Sequence, residues 1–265
     1  MTQRSRAPKA NASQAARQSS STLVQEDEDD SLFTQPSTSQ VQRGLERLSP
    51  AQVELKTAEV VQFILVKDQK KIPIRRADLI KHVLKDYKNI YPEIMRRAAR
   101  TFDQVFGLKL VEIDPKNHLY ILVNKLEPVE AAPPVLNPSS SKMGLLFVIL
   151  SVIFMKGGAV RDSVVWNILK KLRVQPGERH PEFGEVKRVV MEEFVRQRYL
   201  ECNRIPHTEP LEHEFRWGQR ADTEVSKTKI LEFMAELHQQ DPQTWSQQYK
   251  EAQASRQQAG TSSQR

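Results

Sequence analysis

Phe106-Gly-Leu-Lys-Leu-Val-Glu-Ile-Asp-Pro-Lys-Asn-His-Leu-Tyr-Ile-Leu-Val123 decides the fold, because the chain changes period inside it. Upstream, Ile94, Ala98, Phe102 and Val105/Phe106 recur at helical spacing, and Pro92 stands where a helix opens. A helix with one buried face therefore runs into Phe106. Gly107 is its stop, since glycine accepts the left-handed backbone that closes a helix. Beyond it, Leu108–Ile113 and Leu119–Val123 flank Asp114-Pro115-Lys116-Asn117. Aspartate at the first turn position and proline at the second suit a type I turn, so the pair reads as a β-hairpin.

Working back from the hairpin, Ser49-Pro50-Ala51-Gln52 is a capping box with proline at the first helical position. A helix follows to about Lys67. Lys71-Ile-Pro-Ile74 is short and extended, because Pro73 pushes Ile72 out of the helical region. A further helix covers about Arg76–Leu84. Three helices, a short strand and a terminal hairpin make a winged helix.

Working forward, Glu127–Ser141, with four prolines and a serine run, reads as a linker. The order then repeats without the residues repeating. An apolar helix is predicted over 142–156, and Gly157–Val160 takes the place of the short strand. A helix from Asp162, its candidate cap, to Leu172 turns Val165, Leu169 and Leu172 inward. A third helix spans about 185–197, with Val186, Val190 and Phe194 on one face. Tyr199–Arg204 and Glu212–Trp217 form a second hairpin with a longer tip. A helix over Thr223–His238 follows, then Pro242 and a short helix at about Trp245–Ala252. The fold class is mainly α with short β-hairpin wings, as tandem winged-helix domains at 49–126 and 142–250. Residues 1–48 hold the acidic run Glu26–Asp30 and, like 251–265, are polar and poor in large apolar residues; both are expected to be disordered tails.

The chain has 265 residues, and its 40 Lys+Arg against 33 Asp+Glu give a net charge of +7, which permits a nucleic-acid partner without requiring one. One cysteine, Cys202, allows no disulfide within the chain. Met1–Ser20 is polar and basic, unlike a secretory signal. The apolar run Met143–Met155 is shorter than the roughly 20 residues a membrane span needs, so it reads as a buried helix.

No catalytic residue stands out. None of the nine glycines sits in phosphate-loop spacing. Cys202, His207 and His213 lie near one another, but a lone cysteine and two histidines on a hairpin fall short of a structural zinc set. No cofactor or metal site is expected, and the chain reads as a non-enzyme. Basic clusters say more. Residues 68–109 carry eleven Lys/Arg against five Asp/Glu, net +6; residues 156–204 carry eleven against seven, net +4. Arg96, Arg97 and Arg100 lie opposite the apolar face of the first domain's third helix. Lys170, Lys171, Arg173, Lys187 and Arg188 fall on the matching elements of the second. Such residues neutralise phosphates when a third helix faces DNA, and they are also ordinary on a solvated helix face. Val60, Val61, Phe63, Ile64 and Leu65 cover more than one helical stripe, so the surplus buries within the domain, against the other winged helix, or against a partner.

Val61–Ile74, Phe106–Ile113, Gly144–Gly157, Phe194–Leu200, Arg204–Thr208 and Glu214–Gly218 resemble the MAGE homology domain, and the likeness covers about 53–245. KDQKKIPI at 67–74 and RIPHTEPLEHEFRWG at 204–218 look most like the branch that serves the SMC five–six chromosome complex. The resemblance implies tandem winged helices, a RING-type ubiquitin ligase partner, a kleisin partner, the SMC five–six heterodimer, DNA, and work in DNA repair in the nucleus. The family's RING-binding leucine pair corresponds to Ile64-Leu65, beside Phe63, with isoleucine standing where the family has leucine. A kleisin is expected near Phe147, Ile149 and Phe183. DNA binding shifts to the second winged helix, at Lys170, Lys171, Arg173, Lys187 and Arg188. A free transcription regulator reading specific DNA sequence is the alternative.

Overall fold

The computed structural model describes residues 36–126 and 138–262, with side chains of the second stretch described for 141–257. Two capping boxes open it. Ser37 and Gln40 satisfy each other's backbone N–H groups at the start of α1 (Thr38–Glu46), and Ser49 and Gln52 do the same for α2 (Pro50–Asp68). The first box lies inside the expected 1–48 tail, so that expectation is corrected for 36–48; residues 1–35 lie outside the described set. Gly44 explains why α1 can settle: a Cβ there would stand 2.7 Å from the Ile90 side chain.

α2 turns Val53, Thr57, Val60, Val61 and Ile64 inward. β1 (Ile74–Arg75) leads to α3 (Arg76–Leu79), which continues through a π turn, Ile80–Leu84, and a 3₁₀ segment, Lys85–Ile90. α4 (Tyr91–Thr101) passes into a π turn, Phe102–Phe106, and Gly107 closes it at φ 62°. β2 (Leu108–Asp114) and β3 (Leu119–Asn124) form the wing, with Leu110 opposite Leu122. The Asp114 carboxylate accepts from the Lys116 and Asn117 N–H groups, which fixes the turn. β1 pairs with β3, giving an antiparallel sheet in the order β1-β3-β2.

The second half repeats this plan. α5 (Pro138–Met155) begins inside the expected linker, whose residues 127–137 lie outside the described set. No helix among the described residues is long and apolar enough to cross a membrane. β4 (Ala159–Arg161) precedes α6 (Asp162–Lys171), where Asp162 is the first helical residue and makes no capping hydrogen bond, contrary to expectation. A two-residue hairpin, β5 (Arg179–His180) with β6 (Gly184–Glu185), is additional to the sequence reading. The third helix is α7 (Val186–Arg188), a π turn, Val189–Glu193, and α8 (Phe194–Arg196). β7 (Leu200–Arg204) and β8 (His213–Trp217) form the second wing, ordered β4-β8-β7. The half has its own core, in which the Trp217 indole N–H donates to the Leu150 carbonyl at 3.0 Å.

The helix expected over 223–238 is two: α9 (Gln219–Glu224) and α10 (Lys227–His238), whose start Ser226 caps. α11 (Ser246–Ser262) overturns the expected tail at 251–262; residues 263–265 are not described. The polar composition misled because few contacts suffice. Ala252 is buried and Trp245 and Tyr249 pack on the core. Lys227 lies 2.9 Å from Glu251 and 5.0 Å above the Trp217 ring. Burial alone would lower the Lys227 pKa, but Glu251 and Asp222 outweigh it and hold the ammonium above its usual range.

The halves meet where the Gln197 amide donates to the Lys70 carbonyl at 3.1 Å and α9 lies against β2 and β3.

Candidate partner and DNA surfaces

On α2, the adjacent residues Ile64 and Leu65 face opposite environments. Ile64 is fully enclosed and belongs to the core, which corrects its assignment to a partner surface; Leu65 and Phe63 are half-buried. The physical reason is the 100° step per residue, which cannot turn two neighbours outward together when one of them is needed inside. The outward stripe is Leu55, Ala58, Gln62 and Val66, with Leu55 61% and Val66 58% exposed. Sequence reading missed Leu55 and Val66. Their separation of eleven residues, three turns of helix, was the available signal. Phe63 borders this stripe, its ring stacked 6.4 Å from His82.

The three expected kleisin residues separate. Ile149 is fully buried in the second core, a second correction: α5 is apolar on nearly every side from Leu145 on, so its apolar run does not mark which residues stay outside. Phe147 is half-buried against the second core, and its ring meets the exposed Phe233 of α10 edge to face at 5.3 Å. With Met143 one turn before it, and Leu237 (63% exposed) one turn after Phe233, two helical i,i+4 pairs form one apolar patch. Phe183 lies elsewhere, stacked on His180 at 4.4 Å in a cleft of about 700 Å³ between the halves. Lys70, Lys71 and Ile72 of the first half face Phe183, Arg188 and Arg196 of the second across it.

Of the five expected DNA residues, all are exposed, and Arg188 alone is near a carboxylate, Glu192 at 3.6 Å. Lys170, Lys171, Arg173 and Lys187 have no ion pair among the described residues. Lys170 and Lys171 sit on the last turn of α6, where the helix dipole favours cations. Arg173 closes that helix at φ 62°, with its N–H on the Lys170 carbonyl and that of Val174 on Leu169. The first half differs. Glu93 takes both Arg96 and Arg97 at 2.7 Å, and these bonds, the Arg96 bond foremost, lower its pKa to about 2. Its third-helix arginines are thus partly neutralised from within.

No group of three His, Cys, Asp or Glu residues among those described could hold a metal. Cys202 lies opposite Phe215 in the second wing, and burial pushes its thiol pKa up, away from nucleophilic reactivity. His213 stands 3.4 Å from Asp162, and His207 is exposed at the hairpin tip.

The MAGE homology domain matches residues 60–228. The non-structural maintenance of chromosomes element 3 homolog of Homo sapiens is 51% identical over 205 residues, 77% of this chain and 67% of that protein. Its Mus musculus counterpart is 51% identical over 202 residues, 76% of this chain and 72% of that one. Melanoma-associated antigen F1 of Homo sapiens is 48% identical over 196 residues, 74% of this chain and 64% of that protein. Among solved structures, a chain of an Nse1-Nse3-Nse4 complex superposes with a TM-score of 0.75 at 56% identity, covering 78% of this chain and 100% of that one.

Proposed function

Because the chain belongs to the MAGE family, we propose that it is a non-catalytic scaffold subunit of an SMC five–six complex, joining a RING-type ubiquitin ligase to a kleisin and touching DNA without reading its sequence. The observation that carries this reading is the presence of two outward apolar surfaces on separate elements. One is the α2 stripe around Leu55 and Val66, bordered by Phe63 and Leu65; the other is the α5–α10 patch around Phe147 and Phe233. Each half already has a core of its own, and Leu55, Val66, Phe233 and Leu237 stay exposed among the described residues. Their separation suits a protein that holds two partners at once. The ligase takes the α2 stripe, and the kleisin takes the α5–α10 patch and reaches toward Phe183 in the cleft.

DNA lies against Lys170, Lys171, Arg173 and Lys187, which have no acidic partner to displace among the described residues. Exposed Glu185 and Glu192 beside Lys187 and Arg188 repel a deeply inserted duplex, so contacts go to phosphates. In this role the protein works on chromosomes in the nucleus, supports DNA repair, and raises its ligase partner's activity without catalysing ubiquitin transfer. The SMC heterodimer is reached through the kleisin.

The deciding experiment co-purifies the full chain with both partners, the two apolar surfaces being disrupted one at a time. Each variant is expected to lose one partner and keep the other. Loss of neither would reject the scaffold reading. Selection on random DNA is expected to yield no consensus; a tight motif would establish a free transcription regulator instead.

A further inference from the structure

Arg220 is the largest fully enclosed side chain, and its guanidinium sits where the two halves meet. Gly218 puts it there. The Gly218 N–H donates to the Tyr199 carbonyl at 2.8 Å and the Arg220 N–H to the Arg198 carbonyl at 3.0 Å, so the start of α9 is locked to the start of the second wing. A Cβ at Gly218 would lie 2.3 Å from the Arg198 carbonyl oxygen.

The surroundings of the guanidinium are charged but loosely closed. Asp68, at the end of α2 in the first half, places Oδ1 3.9 Å from Nη2; Glu224, one turn along α9, places Oε1 3.9 Å from Nε. The Tyr199 ring centroid is 5.4 Å away. Neither carboxylate is within hydrogen-bond reach, and among the described residues Nε, Nη1, Nη2 and Asp68 Oδ1 have no hydrogen-bonding partner. Each carboxylate has one oxygen paired elsewhere: Asp68 Oδ2 takes Lys71 at 2.7 Å, and Glu224 Oε2 takes the Tyr199 hydroxyl at 2.6 Å. Burial foremost, then Glu224, raises the Tyr199 pKa against the opposing pull of Arg220, so that hydroxyl stays a donor.

Enclosing a charge without hydrogen bonds can cost more than attraction at this distance returns, and apolar residues of similar volume often do as well or better. Stability therefore does not account for arginine here. Direction does. Apolar contacts between the halves slide at little cost, whereas a sealed cation is held by the nearest carboxylates, and in the first half that is Asp68. We infer that Arg220 is a positioning residue that fixes one placement of the first winged helix against the second, by its attraction to Asp68, rather than a stabilising ion pair. The cleft walls come from different halves, so their separation is set at this contact.

Spin labels at Lys88 and Asn203, one in each half of the full chain carrying Cys202→Ser, read the placement directly. The unmodified interface is expected to give one narrow distance distribution. Arg220→Met leaves both carboxylates with their other partners; it is expected to broaden the distribution roughly twofold while the melting temperature stays within about 2 °C of, or above, the parent value. Asp68→Asn, which keeps Arg220 and removes its first-half ion partner among the described residues, is expected to broaden it as well. An unchanged distribution in either variant overturns the inference. So does a fall in melting temperature well beyond that range for Arg220→Met, which would make the arginine an ordinary stabiliser.

Discussion

The Phe233 ring meets the Phe147 ring at an interplanar angle of 76°, linking α10, nearly all of which lies beyond the matched family domain, to α5 within it. The apolar patch thus depends on a helix outside residues 60–228. Phe147→Asp or Phe233→Asp is expected to weaken kleisin binding by about 2 kcal/mol or more, roughly thirtyfold, and to leave ligase binding unchanged. Titration calorimetry against each partner checks this. Kleisin affinity equal to the parent's would remove the patch from the interface.

The two sides of α2 predict opposite phenotypes. Leu55→Asp with Val66→Asp should fold normally and lose the RING partner, because both residues already face solvent. Ile64→Ala should cost about 2–5 kcal/mol of stability through the cavity it leaves. Thermal melts alongside pull-downs separate the two. Destabilisation by the exposed pair would show that this stripe is not a free surface.

Arg173 predicts a gain of stability together with weaker DNA binding. Its left-handed backbone is one that glycine adopts without strain, so Arg173→Gly should stabilise the fold by roughly 1 kcal/mol. DNA binding should weaken equally across sequences, and the slope of log affinity against log salt should become shallower by about 0.9, the value for a single phosphate left unneutralised. An unchanged slope would exclude Arg173 from the DNA face. Lys187→Glu tests the same face from the next helix.

Glu93 gives the first half a pH signature. Its folded pKa is depressed to about 2 from an ordinary 4.5. The contribution is therefore fully present above about pH 4.5 and is lost as pH falls through 2. Glu93→Gln should remove that acid-side dependence and leave melting at pH 3 closer to melting at pH 7 than in the parent. Parallel curves for the two proteins would contradict the assignment.

Local signals carried most of the architecture. The Ser49–Gln52 box, Gly107 and the two hairpins act through neighbouring residues, and a sequence displays such effects directly. What the sequence hid was tertiary. The docking of α11 depends on Lys227 finding Glu251 and Trp217, residues far apart in the chain. Ile64 and Ile149 looked like surface candidates because an apolar run does not announce which side another element will cover. The Arg96 and Arg97 surplus looked available for DNA because the sequence shows Glu93 as one acid among several, whereas the fold places both guanidiniums on it.

Gly218 touches no proposed partner surface, yet no larger side chain fits between its Cα and the Arg198 carbonyl. In a saturation mutagenesis survey this position should tolerate nothing, and its variants would be scored as binding-defective although the lesion is steric. An inherited substitution there would weaken every assembly the protein joins at once, which is the pattern expected of a framework fault and not of a damaged interface.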